Sequence, residues 1–148
     1  MANIVQQIYD SITTLTEAEL PSFKKMRRVF APNENDFRSA KNSFGVIHKS
    51  ASDAAGVTKV YTLDHSFEVL LMSTFVSGND DLDKQTVINS LYDAADELLK
   101  LFFLSKLGLP GLVLLVSNPA IAEPEILNNE AVVLRVSFDV KYRNAIDS

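Results

Sequence analysis

Residues 57 to 76 constrain the fold more than any other stretch of this 148-residue chain. Their odd positions run Val57, Lys59, Tyr61, Leu63, His65, Phe67, Val69, Leu71, Ser73 and Phe75. The even positions begin polar at Thr58, Thr62, Asp64, Ser66 and Glu68, then turn apolar at Leu70 and Met72. A two-residue period places these sets on opposite faces of a strand. The first half is therefore half-buried. The second half is expected to be covered on both faces, by a helix or by a neighbouring subunit. Twenty residues exceed the usual strand length, so a bend or bulge is expected within it.

The final strand shows the same period more cleanly. Val132, Leu134, Val136, Phe138, Val140 and Tyr142 face a core, and Val133, Arg135, Ser137, Asp139, Lys141 and Arg143 face outward. Phe44, Val46 and His48 share a face of a shorter strand over 44–49. Leu112 to Val116 is a continuous apolar run consistent with a buried strand. Residues 117–129 read as mostly irregular, with Glu125 to Leu127 able to pair across an Asn128-Asn129 turn. The tail from Asn144 to Ser148 is expected to fray.

Two segments carry a helical period instead. Ile4, Val5, Ile8, Tyr9, Ile12 and Leu15 make a stripe over residues 3–15, capped by Asn3 and weakened by Thr13, Thr14 and Thr16. Val87, Ile88, Leu91, Tyr92, Ala95, Leu98, Leu99 and Phe102 make a longer one over residues 82–106, ended by Gly108 and Pro110. Residues 22–30 fit both a helical face (Phe23, Met26, Phe30) and a short strand, and extended structure is favoured. Residues 32–43 and 50–56 are small and polar and read as flexible loops.

The fold class that follows is α+β. A mostly antiparallel mixed sheet of about four to five strands is flanked on one face by an N-terminal helix and one long helix. One domain spans residues 1–148. Hydrophobic residues at 47% and charged residues at 22% lie near the globular average, which excludes wholesale disorder. No 18-residue apolar run marks a membrane helix, and the first residues lack the pattern of a signal peptide. Cysteine is absent, so disulfides and thiolate metal sites are excluded.

Little in the sequence points to catalysis. His48 and His65 lie on neighbouring strands and can approach across the ladder, but no carboxylate motif surrounds them, and they read as ordinary strand histidines. Ser66 beside His65 points to the other face, and Asp64 and Glu68 do likewise. There is no glycine-rich phosphate loop. No catalytic, cofactor or metal residue is assigned.

Charge and apolar surplus point to assembly instead. Lys24, Lys25, Arg27 and Arg28 hold 4 of the 14 basic residues, in a chain of net charge −5 that does not suit a free-standing nucleic-acid binder. Asp80, Asp81, Asp83, Asp93, Asp96 and Glu97 face Lys84 alone over residues 80–97. Separated basic and acidic zones suit head-to-tail pairing of copies, which closes into rings. Leu101, Phe102, Phe103 and Leu104 surround one helix end on all sides, either within the core or as exposed surplus.

In element order and texture the chain resembles the tail terminator (tail completion, minor tail) proteins of long-tailed bacteriophages. The resemblance is carried by the short helix from Asn3 to Leu15, the strand Phe44-Gly-Val-Ile-His-Lys and a small-residue loop. It continues through the long strand from Lys59 to Met72, the Asp-rich turn opening one long helix, and the closing strand from Ala131 to Arg143. Residues 32–43 and 117–129 have no counterpart in that pattern.

The resemblance implies a homo-hexameric ring on the head-proximal end of the tail tube, within the virion and assembled in the host cytoplasm. Such a ring stops tube polymerisation and offers a surface to head-completion proteins. DNA passes through its lumen without specific binding. It also implies no enzyme activity and no cofactor. The contact regions expected are Lys24, Lys25, Arg27 and Arg28, Phe103 at the long-helix end, and Arg135, Lys141 and Arg143 on the final strand. The alternatives are another head–tail joining or neck protein, or a cellular α+β ligand-binding domain.

Overall fold

The computed structural model describes residues 4–26, 42–51, 55–57, 60–75, 81–109, 112–127 and 131–145. Helix α1 spans Ile4–Glu19 and helix α2 spans Asp81–Ser105. The strands are β1 (Lys24–Lys25), β2 (Asn42–Ala51), β3 (Ala55–Val57), β4 (Val60–Thr74), β5 (Val113–Ile121), β6 (Glu125–Leu127) and β7 (Ala131–Ala145). They form one sheet of order β1-β2-β4-β7-β5, with β3 added to β4 and β6 to β7. Among the described strands β1 alone runs parallel to its neighbour, and the other pairings are antiparallel. The class is α+β as expected, with five strands along the sheet and two short ones appended.

Strand β4 pairs with β7 without interruption, from Val60↔Ala145 to Thr74↔Ala131. The bulge expected in the long strand lies instead on its neighbour β2, between His48 and Ser50. Because the core-facing and outer residues of β4 and β7 alternate in step, the unbroken ladder keeps both faces in register.

Both helices pack on one face of the sheet, as expected. Ile8 and Ile12 of α1 and Leu91, Ala95, Leu98 and Phe102 of α2 are fully buried against Phe44, Phe67, Val69, Leu134, Val136 and Phe138. Phe102 and Phe138 meet with ring centroids 5.2 Å apart. On the opposite face Ile47, Leu70, Met72, Ala131 and Val133 form a second, smaller cluster with Met26. Two-sided burial of Leu70 and Met72 is therefore present. The described residues packed there come from β2, β7, Met26 and half-buried Leu127, and none is helical. Val133 points outward as its parity requires, yet it is buried in this cluster.

Several expectations need correction. Helix α1 runs past Leu15 to Glu19, because Thr13 and Thr16 return their hydroxyls to the carbonyls of Tyr9 (3.0 Å) and Ile12 (2.7 Å) and do not compete for the ladder. The expected 57–76 strand is divided: Val57 ends β3, which folds back antiparallel on the start of β4 with Val57 opposite Val60. Residues 117–129 are not mostly irregular: β5 continues to Ile121, and β6 pairs with β7 as Leu127↔Ala131. The run from Leu112 is an edge strand, with Val113 and Val116 buried and Leu115 half exposed. Asn42, Ser43, Ser50, Ala51, Ala55 and Gly56 belong to strands, while the rest of the two expected loops, 32–41 and 52–54, lies outside the described residues. Asn144 and Ala145 extend β7.

Helix α2 ends in a left-handed turn. Lys106, Leu107 and Gly108 have φ of +49°, +58° and +71°. Such angles disfavour side chains, yet Leu107 is fully buried and its carbonyl accepts a hydrogen bond from Ser11 Oγ at 2.8 Å. The buried leucine and the tie to α1 offset the backbone cost.

Candidate functional site

The sheet brings His48, His65 and Tyr142 into one line across β2, β4 and β7. His48 stands opposite Phe67 and His65 opposite Val140, all on the helix-facing side. The bulge after His48 shifts β2 against β4, and the two imidazoles meet diagonally. His48 Nε2 lies 2.6 Å from His65 Nδ1, and His65 Nε2 lies 3.0 Å from Tyr142 Oη. The His48 ring also sits 5.1 Å from Phe67, and the His65 ring 5.1 Å from Tyr142. His48 is exposed, whereas His65 and Tyr142 are buried.

This is a hydrogen-bonded chain from solvent to a buried phenol. With neutral rings it has two forms. In one, His48 donates to His65 and His65 donates to Tyr142. In the other, Tyr142 donates to His65 and His65 donates to His48. Burial lowers the His65 pKa, a positive His48 lowers it further, and Asp64 partly opposes both. If both rings charged, two N–H groups would face each other across the 2.6 Å gap. Among the described residues no three His, Cys, Asp or Glu side chains gather as a metal set.

The sequence placed the two histidines on neighbouring strands but treated Tyr142 as a plain core residue. Parity alone puts His65 and Tyr142 on one face once β4 and β7 are paired. The diagonal step between them needs the register, which no local motif encodes.

The other face of the sheet carries ion pairs. Glu68 is buried between Arg135 Nη1 at 3.0 Å and Lys49 Nζ at 3.2 Å, and Arg135 also approaches Glu125 at 3.8 Å. Lys141 lies 4.0 Å from Asp64. Asp139 accepts from Ser66 Oγ at 2.6 Å and from Asn118 Nδ2 at 2.7 Å. Arg135 and Lys141, expected as contact residues, face outward but already have partners within the chain. Arg143 is exposed.

The remaining expected contact residues are spread apart. Lys24 and Lys25 are exposed on β1, with Lys25 Nζ 6.0 Å from the Tyr9 ring centroid. Arg27 and Arg28 lie outside the described residues. At the end of α2 the four apolar residues divide: Phe102 is buried, Leu101 is half-buried, Phe103 is 37% exposed and Leu104 is 87% exposed.

No family model matches the chain, and no curated protein matches it. Among solved structures, a chain whose name states no function is similar at 18% identity and a TM-score of 0.44. The match covers 93% of this chain and 96% of that one.

Proposed function

We propose that this chain is a structural protein of a long-tailed bacteriophage: a tail terminator that forms a ring on the head-proximal end of the tail tube. It stops tube polymerisation and provides the surface to which the head attaches. The observation that carries this reading is the element order. A helix, a strand, a long strand, one long helix and a long closing strand carry the resemblance, and the same order builds the sheet with both helices on one face. A nearly bare Leu104 at the end of α2 adds support, because an exposed leucine beside a half-exposed Phe103 suits burial in an assembly.

A second reading draws on the His48–His65–Tyr142 chain: a cellular α+β domain that uses the pair on a bound ligand. An exposed imidazole wired to a buried phenol suits proton movement.

Sedimentation and electron microscopy of the protein, alone and with tail-tube protein, separate the two. The terminator reading expects a ring with a central hole wide enough for duplex DNA, either spontaneously or on the tube. A chain that remains monomeric with tube protein present refutes it and moves the weight to the histidine pair.

A further inference from the structure

Among the described residues, two stretches of sheet edge are blunted. At one, β1 is two residues long and both are lysines. At the other, β5 is broken by register shifts between Val113 and Leu115 and between Ser117 and Ala120, with Asn118 at φ +52° and Pro119 inside the second gap. Short length, lysine, proline and irregular register are the devices that stop a sheet from recruiting another strand. A contact between copies that spares these stretches runs through side chains.

The outward face of α2 is built for such a contact. Asn89, Asp93, Asp96, Glu97, Lys100, Phe103 and Leu104 recur at steps of three and four and are all exposed. Three carboxylates occupy its middle, and the apolar pair follows at its end, about 16 Å from Asp93 to Leu104 at the helical rise. Asp93, Asp96 and Glu97 make no ion pair among the described residues, and neither do Lys24 and Lys25. Lys25 lies over the Tyr9 ring, and the other four have no ionic partner among the described residues.

Lys24 and Lys25 lie at the edge beyond β2, whereas α2 packs over β4, β7 and β5. In the ring of the reading above, unlike patches of this kind meet head to tail.

We infer that copies of this chain assemble head to tail through the outer face of α2: Asp93, Asp96 and Glu97 meet Lys24 and Lys25 of the next copy, and Phe103 and Leu104 are buried beside them. The occupant of the helix face is a second copy. This rests on the ring reading above and specifies the surface that the ring uses.

The test is sedimentation velocity of the full chain with tail-tube protein present, with circular dichroism to verify folding. The charge-reversed pair D93K/E97K and the pair K24E/K25E are each expected to weaken assembly at least about tenfold. Combining all four changes in one chain is expected to restore assembly to within about threefold of the original. Such rescue cannot arise from damaged folding. Leu104→Ser is expected to weaken assembly without any rescue by charge. A ring that forms equally well in D93K/E97K and in Leu104→Ser overturns this interface and leaves the terminator reading standing. An unmutated chain that never assembles overturns both.

Discussion

Glu68 offers the sharpest test of how the outer face of the sheet is held. Its side chain is 8% exposed, with Arg135 at 3.0 Å and Lys49 at 3.2 Å. Removing one partner of a fully buried pair costs about 3–5 kcal/mol, while a surface pair is worth about 0–1 kcal/mol. Arg135 is 32% exposed, and Lys49 stays beside the carboxylate when Arg135 goes. Arg135→Met is therefore expected to destabilise by about 2 kcal/mol. Glu68→Leu leaves Arg135 with solvent and with Glu125 at 3.8 Å, so its expected cost is lower, about 1 kcal/mol.

The double variant E68L/R135M places two apolar side chains beside Ile47 and Leu70 and is expected to lie within about 1 kcal/mol of the parent. The coupling is then about 2 kcal/mol. Urea unfolding of the four proteins measures it, and each kcal/mol shifts Tm by about 2–4 °C for a chain of this size. A double variant that loses the full sum of the two single losses would refute the reasoning, since it would mean that the two charges do not hold each other in place.

Other consequences are equally direct. Because His65 is held below the ordinary imidazole value of 6.5, the unfolded chain binds its proton first; stability is full above about pH 6.5 and falls as pH drops toward the folded value of His65. His65→Asn is expected to flatten that slope between pH 7 and 5 in urea melts, and an unchanged slope would assign it to other groups. Gly108→Ala is expected to cost about 1 kcal/mol, read by thermal melting, because its φ is +71° and an added Cβ meets nothing within 4 Å. A neutral result would mean that the turn relaxes. Phe102→Ala removes a fully buried ring tilted against Phe138 and is expected to cost about 3–5 kcal/mol in urea unfolding, with less than 1 kcal/mol arguing that the pocket collapses.

What could be read from the residues was whatever repeats locally. The alternation from Val132 to Tyr142 fixes the inner face of β7, and the stripe from Leu91 to Phe102 fixes the buried side of α2. The switch at Leu70 and Met72 correctly signalled two-sided burial. The misses lie where pairing partners decide. Thr13 and Thr16 read as helix-weakening until their hydroxyls are seen on the preceding turn. Residues 117–129 read as mostly irregular, yet β5 runs on to Ile121 with Pro119 inside a register gap. The His48–His65–Tyr142 chain depends on the bulge after His48 and on the β4–β7 offset, both non-local. The charged contact residues were chosen by sign and by strand parity, which cannot tell Arg135, already committed to Glu68, from Lys24, which is exposed on the sheet edge.

The long β4–β7 ladder also sets the order in which this chain can fold. Its innermost pair, Thr74 and Ala131, is separated by 131 − 74 = 57 residues, and its outermost, Val60 and Ala145, by 145 − 60 = 85. Closing such distant pairs is slow, because the loop entropy is lost before the contacts form. During synthesis at about 5–20 residues per second, β4 waits about 3–11 s before the first residue of β7 is made. Throughout that time Phe67, Val69, Leu70, Leu71 and Met72 lack their central partner strand. Helix α2 is complete before β7 begins and can shield one side, whereas Leu70 and Met72 on the other remain open to wrong pairing. A ribosome that pauses between Ser105 and Ala131 would lengthen that exposure, so production of this chain is expected to favour slow initiation with fast elongation, or a bound chaperone.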